Sequence, residues 1–164
     1  MRWMFVDRID ELVPGERIRG VKTSPADLPL FQDHFPEWPV VPGVLLMEAL
    51  AQLAGKAIGY TVRQQRGDWP FPILSMMDRV KFRRFVKPEE CVALEAEFLA
   101  LRDESAQVRV KARVDGAVRA QAQQTFVFNA VPLEDPAARS RLEAVEGAEL
   151  ARLWSSFDPA VWSR

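Results

Sequence analysis

Histidine and cysteine occur once each in these 164 residues, at His34 and Cys91. A single cysteine excludes an internal disulfide and fits a reducing compartment. With one histidine beside it, a His/Cys metal site has too few ligands. Neither sign of charge is in surplus: 22 Lys and Arg face 23 Asp and Glu, for a formal net charge of −1. No overall field recruits nucleic acid, and the aromatic residues show no array on a basic face, so a charged partner has to be met by a local patch. Long hydrophobic runs are missing as well. The longest is cut by Glu48, Gln52 and Lys56, well short of the roughly 20 apolar residues of a membrane-spanning helix. The opening MRWMFVDRID carries Arg2, Asp7 and Arg8 and does not read as a secretory signal. A cytoplasmic protein that binds no membrane is expected.

What is present is the balance of a globular chain, 48% hydrophobic and 27% charged residues, long enough for one domain with a real core. Residues 3–9 and 16–23 are short apolar-containing runs about Pro14-Gly15, which predicts a hairpin. A loop rich in Pro, Asp and Phe follows from Ser24 to Pro42, and a loop of that length in a compact domain is usually functional. Pro42-Gly43 then opens a helix that Gly67 and Pro70 end near Arg66. From Val44 to Val62 it is apolar almost all round, the pattern of a helix wrapped by other structure. Gly55 and Gly59 leave flat spots one turn apart, where a sheet or a second helix can approach.

Beyond the helix the period changes to two. Residues 71–86, 91–103, 105–116 and 117–129 read as four successive antiparallel strands, with Asp115-Gly116 a strong hairpin signal between the last two. Val108, Val110, Ala112 and Val114 alternate with Arg109, Lys111 and Arg113, so one sheet face is wet and the other needs cover. The long apolar helix supplies that cover, giving an α+β fold with an antiparallel sheet curled round one helix. Residues 1–130 form this domain. Residues 131–164 read as a C-terminal extension in which ARSRLEAVEGAELARLW makes an amphipathic helix with Leu142, Val145, Leu150 and Leu153 on one side. Its aromatics, Trp154, Phe157 and Trp162, predict a tail that docks on other structure.

The chemistry concentrates in DHFPEWPVVPGVLLMEALAQLAG, residues 33–55. Glu48, Gln52 and Lys56 share a helix face at i, i+4 and i+8. A solvated stripe explains all three, but apolar residues flank Glu48 on its other sides, and a partly desolvated carboxyl suits a proton donor. A lone loop histidine is more often structural than catalytic. Pro36, Pro39 and Pro42 stiffen the loop around His34, as a fixed imidazole requires. Gly43 stands where a helix begins and its N–H groups lack acceptors; such a group can polarise a carbonyl, although a glycine that merely eases a turn after proline is as good a reading.

His34-Phe35-Pro36, Pro39-Val40, Pro42-Gly43-Val44-Leu45 and Glu48-Ala49-Leu50-Ala51-Gln52, in this order and spacing, resemble the signature of the FabZ-type 3-hydroxyacyl-(acyl-carrier-protein) dehydratases. FVDRIDELVPGERIRGVK and DRVKFRRFVKPEE are similar to that family's segments on either side, so the likeness spans roughly residues 4–128. It implies the hotdog fold and no cofactor. It implies that His34 takes the alpha proton of a 3-hydroxyacyl thioester, that Glu48 protonates the departing hydroxyl, that the Gly43 N–H polarises the carbonyl, and that Gln52 helps orient the acid. In the family the His and Glu of one site come from different protomers, so a homodimer is implied, with a trimer of dimers left open. An apolar tunnel along the helix would take the acyl chain, with Met47, Leu50, Phe71, Met76, Met77 and Phe82 as candidate lining. The family's acyl carrier is acidic. Arg79, Lys81, Arg83, Arg84 and Lys87 are candidates to meet it, with Arg79, Lys81 and Arg83 expected on one strand face; a solvated face that deters edge pairing accounts for them equally well.

Glu37 stands where the family carries glycine, as does the Lys87–Glu90 turn in place of Pro-Gly-Asp. If Glu37 needs a positive φ, the glutamate strains or reshapes the loop. Trp38 beside it is expected to narrow the mouth of the site. Two other functions stay open at this point. A non-catalytic acyl-binding hotdog subunit would bind chains without turning them over, and an acyl-thioester hydrolase would use Glu48 but leave the His34 loop without a task. A dehydratase that also isomerises carries aspartate at the acid position, which Glu48 argues against.

Overall fold

Asp115 and Gly116 both take positive φ, 49° and 77°, the geometry of a two-residue hairpin turn whose twist matches its strands. The turn joins β5 (Ser105–Val114) to β6 (Ala117–Phe128). The computed structural model describes residues 3–163. Within them six strands form one antiparallel sheet in the order β1-β2-β4-β5-β6-β3, where β1 is Arg8–Val13, β2 Arg17–Thr23, β3 Pro72–Phe82 and β4 Cys91–Leu101. The sheet curls round α1 (Gly43–Arg66), which touches β2 through β6. Gly67 ends α1 in the left-handed conformation at φ 83°, its N–H bonded to the Arg63 carbonyl at 2.9 Å, as a helix C-terminus favours. Leu50, Leu53, Ala54 and Ile58 of α1 pack on Ile18, Leu94, Val110, Ala112 and Ala120 of the sheet, all buried. The alanines let the helix settle close to the strands. No helix among the described residues is long and apolar enough to cross a membrane.

Several strand pairs carry register shifts, and in β1 and β3 they break the expected pattern. The first hairpin strand is Arg8–Val13 rather than residues 3–9, with a register shift between Ile9 and Glu11. The extra residue lets Ile9 and Leu12, three apart, both point inward, which a period of two does not reveal. β3 ends at Phe82 instead of residue 86, and its register shifts between Asp78 and Lys81 where Arg79 takes φ 53°. The alternation therefore fails at Arg79. Arg79, Lys81 and Arg83 do not share one strand face as expected, and Arg83 lies past the strand, its guanidinium donating to Gln121 Oε1 at 3.1 Å.

The tail folds against α1. α2 (Pro136–Leu153) is capped by Asp135, whose side chain accepts from the Ala137 N–H, and α3 (Pro159–Trp162) is capped by Asp158 in the same way. Trp154, Phe157 and Trp162 gather round Tyr60 with ring centroids 5.2–6.5 Å away. Gly147 is required here, because a Cβ at that position would run into the Trp162 indole. Leu150 and Leu153 are buried as expected. Leu142 and Val145 are not: 39% and 61% exposed, they lie on the flank of the helix that faces a cavity. What α2 turns toward the polar stripe of α1 is acidic. Lys56 lies 3.2 Å from Glu146 and 3.8 Å from Glu149, and Arg63 pairs with Glu143.

Two turns carry glutamate in a conformation that favours glycine. Trp38 N–H donates to the Phe35 carbonyl at 3.0 Å and Glu90 N–H to the Lys87 carbonyl at 3.3 Å, with Glu37 and Glu89 at φ 64° and 65°. Each turn has proline second and the left-handed residue third, the type II pattern. A left-handed non-glycine residue costs about 1 kcal/mol and glycine's extra chain entropy offsets over half of that. Glu37→Gly with Glu89→Gly is therefore expected to raise the unfolding free energy by roughly 0.5–1 kcal/mol. Denaturant titration checks this; a clear loss of stability would count against strain at these turns.

Candidate active site

The His34 ring is aimed by its own loop. The His34 N–H donates to the Leu30 carbonyl and the Val40 N–H to the His34 carbonyl, both at 3.0 Å. His34 Nδ1 lies 3.0 Å from the Val40 carbonyl oxygen. A carbonyl only accepts, so Nδ1 carries the hydrogen and Nε2 keeps its lone pair as a proton acceptor. The ring stacks on Phe35 at 4.2 Å, and Val41 N–H ties the loop to the Val86 carbonyl at 2.7 Å. Trp38 does not enter the site. It packs edge-on against Phe85 at 4.8 Å, with half of its surface exposed.

His34 opens onto a cavity of about 400 Å³ shared with Gly43, Val44, Phe82, Arg83 and Phe85. The start of α1 faces it, and no side chain caps that helix end; the Leu45 N–H is taken by the Pro42 carbonyl, which leaves those of Gly43 and Val44 to meet a carbonyl oxygen. Gly43 also packs flat on Phe82, since a Cβ there would come within 2.6 Å of the ring. The close approach to Phe82 gives glycine a packing reason at this position besides the two read from the sequence. Gly43→Ala is expected to push Phe82 aside, with a loss of about 1–3 kcal/mol from overpacking and a fall in activity larger than the stability loss explains; thermal melts and rates on the same preparation check it.

Glu48 belongs to a different cavity. Its Oε1 accepts from Trp3 Nε1 and from Gln52 Nε2, both at 2.9 Å. The Gln52 amide is oriented by the chain, because its Oε1 accepts the Phe5 N–H at 2.8 Å and its Nε2 must then face Glu48. With two donors on Oε1, a proton on this carboxyl sits on Oε2. The cavity holds about 500 Å³ and runs along α1 from Glu48 past Gln52 and Gly55 to Lys56, with Phe71 on its wall. Lys56 is only 8% exposed and Glu48 and Gln52 are half-buried, so the Glu48-Gln52-Lys56 stripe lines a cavity and is only partly open to water. At its far end burial pushes the Glu146 carboxyl above the usual carboxylate range, an effect that Lys56 opposes.

The two cavities have no lining residue in common. Helix geometry explains why: Glu48 follows Gly43 by five residues, about 140° round the axis. Of the other tunnel candidates, Phe71 lines the Glu48 cavity and Phe82 the His34 cavity. Met47 and Leu50 are buried in the core, and Met76 and Met77 are exposed on β3. β3 is the last strand of the sheet, so one of its edges is unpaired among the described residues. Arg79, Lys81, Arg83, Arg84 and Lys87 are all exposed, with Arg83 and Arg84 at the rim of the His34 cavity. Sequence reasoning missed Trp3, Glu146 and Glu149. The spacing of Glu143, Glu146 and Glu149 by threes was a signal for the last two, since Lys56 and Arg63 in an apolar helix need anions.

A family model described as a FabA-like domain matches residues 1–124. The chain is 39% identical over 126 residues to the 3-hydroxyacyl-(acyl-carrier-protein) dehydratase FabZ of Ruminiclostridium cellulolyticum, covering 77% of this chain and 87% of that one. It is 40% identical over 126 residues to the FabZ of Acetivibrio thermocellus, covering 77% and 84%. Among solved structures, the dehydratase heterocomplex ApeI:P from Xenorhabdus doucetiae superposes with a TM-score of 0.65 over 85% of this chain and 89% of that one, at 13% identity. Zebra fish thioesterase superfamily member 2 superposes with a TM-score of 0.58 over 74% and 80%, at 14% identity. At such identities these two speak for the hotdog fold alone.

Proposed function

This chain belongs to the FabZ-type 3-hydroxyacyl-(acyl-carrier-protein) dehydratase family, and on that premise we propose how it converts a 3-hydroxyacyl thioester to the trans-2-enoyl thioester in fatty-acid or related polyene or polyketide synthesis. His34 Nε2 takes the proton from C2. The negative charge that grows on the thioester oxygen is met by the Gly43 N–H at the positive end of α1. The C3–O bond breaks as Glu48 Oε2 gives its proton to the hydroxyl, and water leaves. Proton exchange with solvent then returns His34 to its neutral form and Glu48 to its acid form. Gln52 and Trp3 hold the carboxyl in place and touch no reacting atom.

The observation that carries this assignment is the separation of His34 and Glu48 into two cavities of one chain. Acid and base must flank one substrate, so each working site takes its histidine from one protomer and its glutamate from another. The unpaired edge of β3, with Met76, Met77, Val80 and Phe82 exposed along it, supports a homodimer in which two such edges meet, since a bare apolar edge strand invites pairing. The exposed Arg79, Lys81, Arg83, Arg84 and Lys87 suit an acidic carrier, and the two arginines at the His34 rim would bring its thioester there. Cytoplasmic placement suits the unpaired Cys91. The test follows the absorbance of the enoyl thioester while carrier-linked 3-hydroxyacyl and 2-enoyl substrates interconvert. Turnover in both directions is expected; saturable acyl binding without turnover would instead identify a non-catalytic acyl-binding subunit.

A further inference from the structure

Leu142 and Val145 are apolar, largely exposed, and turned toward the Glu48 cavity from a helix that lies beyond the family-matched residues 1–124. Opposite them stand Ile73, Leu74 and Phe126. Gly55 lies between them, where a Cβ would already meet the Phe126 ring in ordinary van der Waals contact at 3.9 Å, so the missing side chain keeps that part of the passage open. This apolar passage ends in charge. Lys56 lies eight residues beyond Glu48, about 12 Å along the helix, held by Glu146 at 3.2 Å and Glu149 at 3.8 Å.

We propose that α2 is the outer wall of the acyl-binding cavity, with Leu142 and Val145 along the chain and the Lys56–Glu146 ion pair closing its end, so that the C-terminal extension sets the longest acyl chain this enzyme accepts. The proposal rests on the cavity beside Glu48 being the one that receives the acyl group. Two physical facts support it. An apolar chain gains from each methylene laid against Leu142, Val145 and Phe126. A chain long enough to reach Lys56 must displace the water that remains at a largely buried ion pair and offers no hydrogen bond in return. Affinity should therefore rise with chain length and then fall.

Two variants of the full-length protein test it. Val145→Trp fills the passage from a position exposed enough to take the larger ring. Lys56→Met with Glu146→Leu replaces the closing pair by apolar side chains of similar size, and Glu149 keeps Arg152 at 3.6 Å. Calorimetry measures affinity for saturated S-alkyl-pantetheine thioethers from butyl to dodecyl, and turnover is measured on 3-hydroxyacyl thioesters of the same lengths. Val145→Trp is expected to weaken the longest chains by roughly tenfold, the worth of a displaced methylene or two in an apolar pocket, and to spare the shortest. The double variant should move the optimum to longer chains. An order of chain lengths unchanged from wild type in both folded variants, or no chain-dependent binding by wild type, overturns the proposal. Shifted binding in an enzyme without turnover at any length would uphold the wall and reject the dehydratase chemistry; turnover with an unshifted order would do the reverse.

Discussion

His34→Ala is expected to lower kcat/KM for dehydration by roughly a thousandfold, within the range that a positioned general base supplies. The loss belongs to chemistry and not to folding. The side chain makes one hydrogen bond, from Nδ1 to the Val40 carbonyl, and one ring stack, on Phe35. The backbone bonds that fix the loop, His34 N–H to Leu30 and Val40 N–H to His34, are untouched by the substitution. Melting temperature should therefore stay close to wild type while the rate collapses. A stable variant that keeps most of its rate would assign the base elsewhere, and the chain has no second histidine to offer.

Glu48→Gln is expected to cost a similar factor, about 10²–10⁴, for the loss of the proton donor. The amide oxygen can still accept from Trp3 Nε1 and Gln52 Nε2, which in wild type both bond Oε1. What disappears is the proton on the other oxygen. Substrate affinity should change far less than kcat, because Gly43 and the apolar cavity remain. Parallel loss of kcat and of ground-state binding would mean that Glu48 holds the substrate and does not protonate its leaving group.

Local signals in the sequence carried the fold a long way. Pro42-Gly43 and Gly67 mark both ends of α1, and Asp115-Gly116 marks the β5–β6 hairpin with both residues at positive φ. Glycine's absence at Glu37 pointed to a strained turn, and the Lys87–Glu90 turn proves to hold Glu89 in the same left-handed conformation. Bulges were illegible, since Asp10 and Arg79 look like ordinary strand residues and only pairing with a neighbour exposes the extra residue. The passage of β3 to the far side of β6 is likewise decided by long-range pairing. His34, Gly43, Glu48 and Gln52 stand out because they crowd into one short stretch. Trp3 does not: it reaches Glu48 from 45 residues away, a contact that no periodicity encodes. On α2 an apolar stripe was legible, but not that half of it would face a cavity and not the core.

Mixing His34→Ala with Glu48→Gln protein tests the shared site most directly. After the two are unfolded and refolded together, or coexpressed with separable tags, each mixed dimer holds one site with both intact groups. Activity should return to roughly a quarter of wild type, since half of the dimers are mixed and each has one of its two symmetric sites restored. A mixture no more active than its inactive parents, with mixed dimers present, would contradict an acid and a base drawn from different protomers.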